Sequence, residues 1–245
     1  MRRLIGVVLA IGAMASPAAA QGPVRPPGLP AQLGDEVLSD EQSVTRVAEV
    51  LFQGTIRANT WATAKAVGRL RRFTEDRENE IYLVLASHVD KLGRTWLRVR
   101  IPGRPNGRTG WALADNFGEL RVVRTRLRIN RGTLRATLYL SGRVMWSSPI
   151  GVGAPGTPTP AGHFYIRERL RNLDGGNAIY GPWAFGTSAY SSISDWPRGG
   201  VVGIHGTNQP QLIPGRPSHG CIRVPNAAIR VLARILPLGT PVEIV

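Results

Sequence analysis

The sequence holds one cysteine, Cys221, and two of its four histidines, His205 and His219, lie close before it. A thiol and an imidazole brought side by side make a nucleophile and its base, the imidazole drawing the thiol toward thiolate from a free pKa of about 8.5. Gly199-Gly200 closes a loop, and Val201-Val202-Gly203-Ile204 reads as a buried strand that delivers His205 at its end. A return rich in Pro and Gly (Pro210, Pro214, Gly215, Pro217) then leads to Ser218-His219-Gly220-Cys221. The spacer is long enough for a strand end, a turn and a return, so the two groups can meet. Gly220 has no Cβ and lets the backbone approach a substrate closely. Amides from His219 to Cys221 can converge on an oxyanion, with Gly220 and Cys221 as the expected donors. A lone cysteine is more often a small buried hydrophobe, but its glycine and polar neighbours argue against burial. Cys221, His219, His205 and His163 are zinc-type ligands, yet their spacing fits no zinc pattern, so no metal and no cofactor is expected.

His205-Gly206 followed by Ser218-His219-Gly220-Cys221-Ile222-Arg223 resembles the signature of the L,D-transpeptidases of the bacterial cell wall, the YkuD-type catalytic domain. The resemblance extends to Val152-Gly153, to Thr157-Pro158-Thr159-Pro160-Ala161-Gly162 and to the closing Gly239-Thr240-Pro241-Val242, covering roughly residues 124 to 245. It implies Cys221 as nucleophile, His205 as base, and the Gly206 carbonyl as the group that orients the imidazole. It implies acylation by a peptidoglycan stem tetrapeptide with loss of D-Ala, transfer to an amine, and acylation by carbapenems. Water as acceptor would make an L,D-carboxypeptidase, and a protein lysine would make a wall anchor; a non-catalytic wall-binding protein is the alternative of another class. His219 is placed with the catalytic residues, where it shapes the acyl pocket or holds Cys221. Ser218 and Arg223 are candidate substrate-binding residues. In a strand Arg223 shares a face with Cys221 and meets either a stem-peptide carboxylate or an acidic neighbour. Tyr180 and Trp183, with Phe185, line a donor groove or pack the underside of their own loop.

The fold class expected is mostly β: a small N-terminal barrel, then an L,D-transpeptidase-like β-sandwich with one helix near its C-terminal end. Arg2-Arg3, the apolar run Leu4 to Met14 and Ala18-Ala19-Ala20 read as a secretory signal over residues 1–20. Residues 21–48 read as a Pro-rich tether, with 35 to 48 a short helix or no fixed structure. Over 49–122, Ile81–Leu85, Trp96–Ile101 and Gly110–Leu113 predict short strands between turns. They resemble the bacterial Src-homology-3-like barrels found ahead of such catalytic domains, with Trp61, Trp96 and Trp111 in the core. The barrel holds no cysteine and is expected to add wall affinity or position its neighbour.

Over 123–245, a hairpin at 124–140, strands at 144–152 and 162–166, a long loop at 167–198 and a last strand at 241–245 frame the motif. Asn226 caps the one helix, whose buried face is Ile229, Leu232, Ala233 and Leu236. The formal net charge of +15, nearly all arginine, suits an anionic wall. Without interleaved basic and aromatic residues it does not suggest nucleic acid. No stretch is long and apolar enough to span a membrane. An exported monomer in the periplasm, the wall or outside the cell is the expectation.

Overall fold

The computed structural model describes residues 34–172, 179–193, 195 and 197–245; the proposed signal and residues 21–33 of the proposed tether lie outside them. Eight strands come first: β1 Gly34–Val37, β2 Thr45–Glu49, β3 Thr55–Arg57, β4 Ala66–Arg69, β5 Ile81–Val89, β6 Thr95–Arg100, β7 Thr109–Leu113 and β8 Arg121–Val123. They form one sheet in the order β4-β3-β7-β6-β5-β2-β8, with β1 also on β5. Residues 35 to 48 therefore carry strand structure rather than a helix, because β2 pairs with both β5 and β8. Trp96 is buried as expected, but Trp61 is 60% exposed. With Trp111 it lines a cavity of about 640 Å³ beside His88.

Ten strands follow: β9 Thr125–Asn130, β10 Arg135–Leu140, β11 Arg143–Pro149, β12 Gly151–Gly153, β13 Gly162–Arg171, β14 Trp183–Tyr190, β15 Val201–His205, β16 Gly215–Ser218, β17 Ile222–Arg223 and β18 Pro241–Ile244. Their order is β11-β10-β9-β18-β13-β14-β15-β17-β12-β16. The expected long loop is where the sequence reading departs most from the structure. β13 runs on to Arg171, and β14 crosses the middle of the sheet. Phe185 to Tyr190 are all buried, so the alternation that marks a half-exposed strand is missing.

Helix α1, Asn226–Ile235, buries Ile229, Leu232 and Ala233, with Leu236 beyond its end. Each buried Ile or Leu contributes roughly 1.5–3 kcal/mol. Asn226 is not its cap: Pro225 occupies that position without a side-chain bond, and the Thr207 amide donates instead to Asn226 Oδ1 at 2.9 Å.

β5 shows how the two sheets meet. Tyr82 and Val84 face the core of their own sheet, whereas Ile81 and Leu83 pack with Val47, Val123 and Tyr165 of β13 in a shared cluster. This two-sided burial explains the unbroken apolar run Ile81–Leu85. Beside it Arg167, fully buried, donates through Nε to Glu80 Oε1 at 3.0 Å, through Nη2 to Glu80 Oε2 and, at 3.1 Å, to Glu75 Oε2. Tyr190 Oη completes the network by donating to Glu75 Oε1 at 2.5 Å. Among the described residues, no helix is long and apolar enough to cross a membrane.

Candidate active site

β15 lies between β14 and β17 and carries His205 at its C-terminal end, buried to 3% exposure. His205 Nδ1 lies 2.6 Å from the Gly206 carbonyl oxygen. A carbonyl only accepts, so Nδ1 carries the proton and Nε2 keeps its lone pair. Burial pulls the imidazole down to about 4; the Gly206 bond opposes that shift and Arg223 adds to it. The ring is therefore neutral, a proton acceptor, through the whole neutral range. Tyr180 stands edge-on to it, with ring centroids 4.8 Å apart.

Cys221 enters on the adjacent return, half-buried, with Sγ accepting from the Gly203 amide at 3.4 Å. No hydrogen bond joins Sγ to the imidazole in this free protein, a spacing that commonly tightens only around substrate. The sequence reading had the imidazole pull the thiol toward thiolate. Instead, burial pushes the thiol up, while the Gly203 amide, Arg223 and Arg198 pull the other way less strongly. The resting pair is a neutral thiol beside a neutral imidazole.

The loop bearing Cys221 is held at nearly every residue. Ser218 Oγ donates to the Cys221 carbonyl at 2.6 Å and accepts from the Gly220 amide at 3.2 Å. Ser218 is thus a buried clasp of the turn. With the Gly220 amide so engaged, the Cys221 amide is the better placed of the two expected donors. Gly220 sits at φ +120°, where a side chain is strained, and a Cβ there would come 3.1 Å from Ser191 Oγ. Thr159 makes two of the ties that hold the turn. Its hydroxyl accepts from Gly153 N and donates to the Gly220 carbonyl, both at 2.9 Å. We expect Thr159→Val to keep the shape and lose both bonds. The cost should be about 1–3 kcal/mol in chemical denaturation, with thiol acylation slowed as the turn loosens.

The remaining sequence candidates fall into two groups. Tyr180 shares a cavity of about 120 Å³ with His205 and Cys221. His219 is exposed and does not line that cavity. Arg223 pairs across the parallel strands with His205 and donates to Gln209 Oε1 at 2.8 Å. Trp183 packs against the core, with Arg169 and Arg171 over its ring, and does not line the cavity.

Gly186, Arg198 and Glu168 also line the cavity and are not among the sequence candidates. Arg198 is paired with Asp76 at 2.7 Å. Glu168 is 1% exposed, and neither carboxylate oxygen has a hydrogen-bond partner. Burial raises it to about 7; Thr74 counters the shift, Asp76 reinforces it, and neither forms a well-shaped bond to it. A carboxyl whose folded pKa lies above its unfolded value loses stability as pH rises from about 4.5 to about 7. Glu168→Gln should remove that loss, and thermal unfolding of both proteins from pH 4.5 to 8 would show the two curves diverging upward. No group of three His, Cys, Asp or Glu placed to hold a metal occurs among the described residues.

Residues 124–244 match the family profile described as the L,D-transpeptidase catalytic domain. That half of the chain is an L,D-transpeptidase catalytic domain of the YkuD type. The domain is similar to the YkuD protein of Bacillus subtilis (strain 168), 40% identical over 116 residues, or 47% of this chain and 63% of that one. The Bacillus licheniformis YkuD protein is 39% identical over 116 residues, 47% of this chain and 61% of its own length. The match thus spans under two thirds of either curated relative. Among solved structures, the Enterococcus faecium L,D-transpeptidase catalytic domain acylated by ertapenem is 30% identical, covering 49% of this chain and 96% of that one at a TM-score of 0.35.

Proposed function

We propose that the protein is a peptidoglycan L,D-transpeptidase with Cys221 as nucleophile. The observation that carries the reading is that His205, its Nδ1 committed to the Gly206 carbonyl so that Nε2 is left as the acceptor, lines the same small cavity as Cys221. On this reading His205 Nε2 takes the thiol proton as sulfur attacks the carbonyl before the terminal D-Ala of a stem tetrapeptide. The amide of Cys221 meets the oxyanion, which supplies a few kcal/mol where water is excluded. The proton passes to the departing D-Ala amine, and a thioester remains. An amine of a second stem then takes the acyl group, and a wall cross-link results. His219, Ser218 and Gly220 act through the shape of the turn, while Tyr180 and Arg223 border the path of the donor peptide.

The same reading places residues 1–20 as an export signal, a Pro-rich tether from 21 up to β1, a Src-homology-3-like barrel from β1 to β8 and 123–245 as the catalytic unit, acting as a monomer at the wall. Incubation of the purified full chain with stem tetrapeptides or muropeptides, followed by mass spectrometry, tests it. Dimers linked through the third residue, with D-Ala released, are expected. Intact substrate, or wall polymer bound but unchanged, would overturn it in favour of a binding protein. Release of D-Ala without dimers would make it a carboxypeptidase.

A further inference from the structure

Resting on that reading, the geometry beside the thiol bears on the second substrate. Glu168 of β13 lies directly opposite Gly186 of β14, and Gly186 lies opposite Gly203 of β15. The Gly203 amide in turn holds Cys221 Sγ. The Glu168 side chain folds over Gly186, so that a Cβ there would meet its Oε1 at 2.2 Å. A Cβ on Gly203 would point at the other end of the line, 3.7 Å from the His205 ring and 3.9 Å from Sγ. Directly opposed residues project on one face of a sheet. Carboxylate, two bare glycines and thiol therefore form one trough across three strands, and Glu168, Gly186, Gly203, His205 and Cys221 all line its cavity. At a strand spacing of about 4.8 Å, carboxylate and sulfur are roughly 5–10 Å apart. That gap suits one ammonium nitrogen: a hydrogen bond of about 3 Å to the carboxylate and an approach of about 3–3.5 Å to a carbonyl carbon on sulfur.

The charges around the trough leave Glu168 available for this. Arg198, the cation lining the cavity, is taken by Asp76. Arg167, on the same strand, is committed to Glu80 and Glu75. A primary alkylamine is protonated at neutral pH, with a pKa of about 10. It must arrive as a cation and shed a proton before it can attack.

We propose that Glu168 binds the acceptor's ammonium group and takes its first proton. The freed lone pair then attacks the thioester carbonyl, forming the C–N bond and breaking C–S. His205 takes the second nitrogen proton and returns it to the departing sulfur, and Glu168 releases its own to water.

The test uses the full chain with Glu168→Gln, which keeps the shape and removes the charge. Acylation of Cys221 by a stem tetrapeptide or a carbapenem is measured first by intact mass, and its absence in the unaltered protein would refute the transpeptidase reading itself. Transfer of the acyl group is then followed to a stem peptide bearing a side-chain amine and, separately, to hydroxylamine, which is uncharged at neutral pH. We expect acylation and transfer to hydroxylamine to be essentially retained and transfer to the alkylamine to fall about ten- to a hundredfold, the worth of a charge-assisted hydrogen bond. Equal retention with both acceptors, or equal loss with both, overturns the proposal. Glu168→Asp, which keeps the charge but retracts it, should fall between the two proteins for the alkylamine alone; if Glu168→Gln does not fold, this variant decides, and an unchanged acceptor ratio refutes the role.

Discussion

Cys221→Ala should abolish covalent acylation completely, because the chain has no second thiol to substitute. Intact mass after incubation with a carbapenem reads this directly, and any adduct on the variant would refute the assignment. Cys221→Ser should be nearly as inert, since a hydroxyl is far harder to ionise with one imidazole. The informative comparison is His205→Ala. With His205 neutral above about 4, the unaltered protein should keep its acylation rate from pH 8 down to about 5 and lose it only as the ring protonates. Removing the base should cost about 100- to 10,000-fold near neutrality. The residual rate should then climb with pH as the thiol ionises alone. The sequence places that climb near 8.5; the buried environment of Cys221 moves it higher. A pH profile unchanged by His205→Ala would sink the pair.

The second large effect concerns the seam between the sheets. Glu80→Ala should destabilise the whole chain by about 3–5 kcal/mol, because it leaves the fully buried Arg167 guanidinium without its main counter-charge. Replacing both partners with apolar residues of similar volume should cost much less. Chemical denaturation of the single and double variants separates the two cases. Equal losses in both would mean that packing alone holds the seam. The same network bears on whether the second half stands without the first. A piece beginning at residue 122 would uncover Tyr165 and Arg167 together, so it should lose stability even though every residue of the thiol–imidazole pair is retained.

The site was legible in the sequence wherever a few adjacent residues carry the chemistry. His205, Gly206 and the Ser218–Cys221 turn stand close along the chain, and the helix announced itself through Ile229, Leu232 and Leu236. Residues whose roles arise only by crossing between strands could not be read. Glu168 reaches the cavity by crossing Gly186, and nothing in the segment Arg167-Glu168-Arg169 signals it. Arg167 and Glu80 are far apart in sequence and look like ordinary surface charges. β14 was missed for a related reason, since a strand covered on both faces loses its period of two. Asn226 stands where a cap belongs, yet its carbonyl oxygen serves the Thr207 amide. Thr159 could have been singled out, as a hydroxyl between two prolines in a segment already matched to the family.

The position of β18 determines when the protein can become whole. Pro241–Ile244 runs parallel to β9 on one side and antiparallel to β13 on the other, in the interior of the ten-stranded sheet. Everything that flanks it is synthesised earlier, so the nascent sheet must wait as two separate pieces with a slot between them. Closing that slot joins Val242 to Leu127 on one side and Ile244 to Gly162 on the other, both distant in sequence, a topology that folds slowly. Until the slot closes, β13, with Arg167 and Glu168 on it, has an open edge. A chain stalled before residue 241 would carry the full motif without the strand that joins the two parts of its sheet.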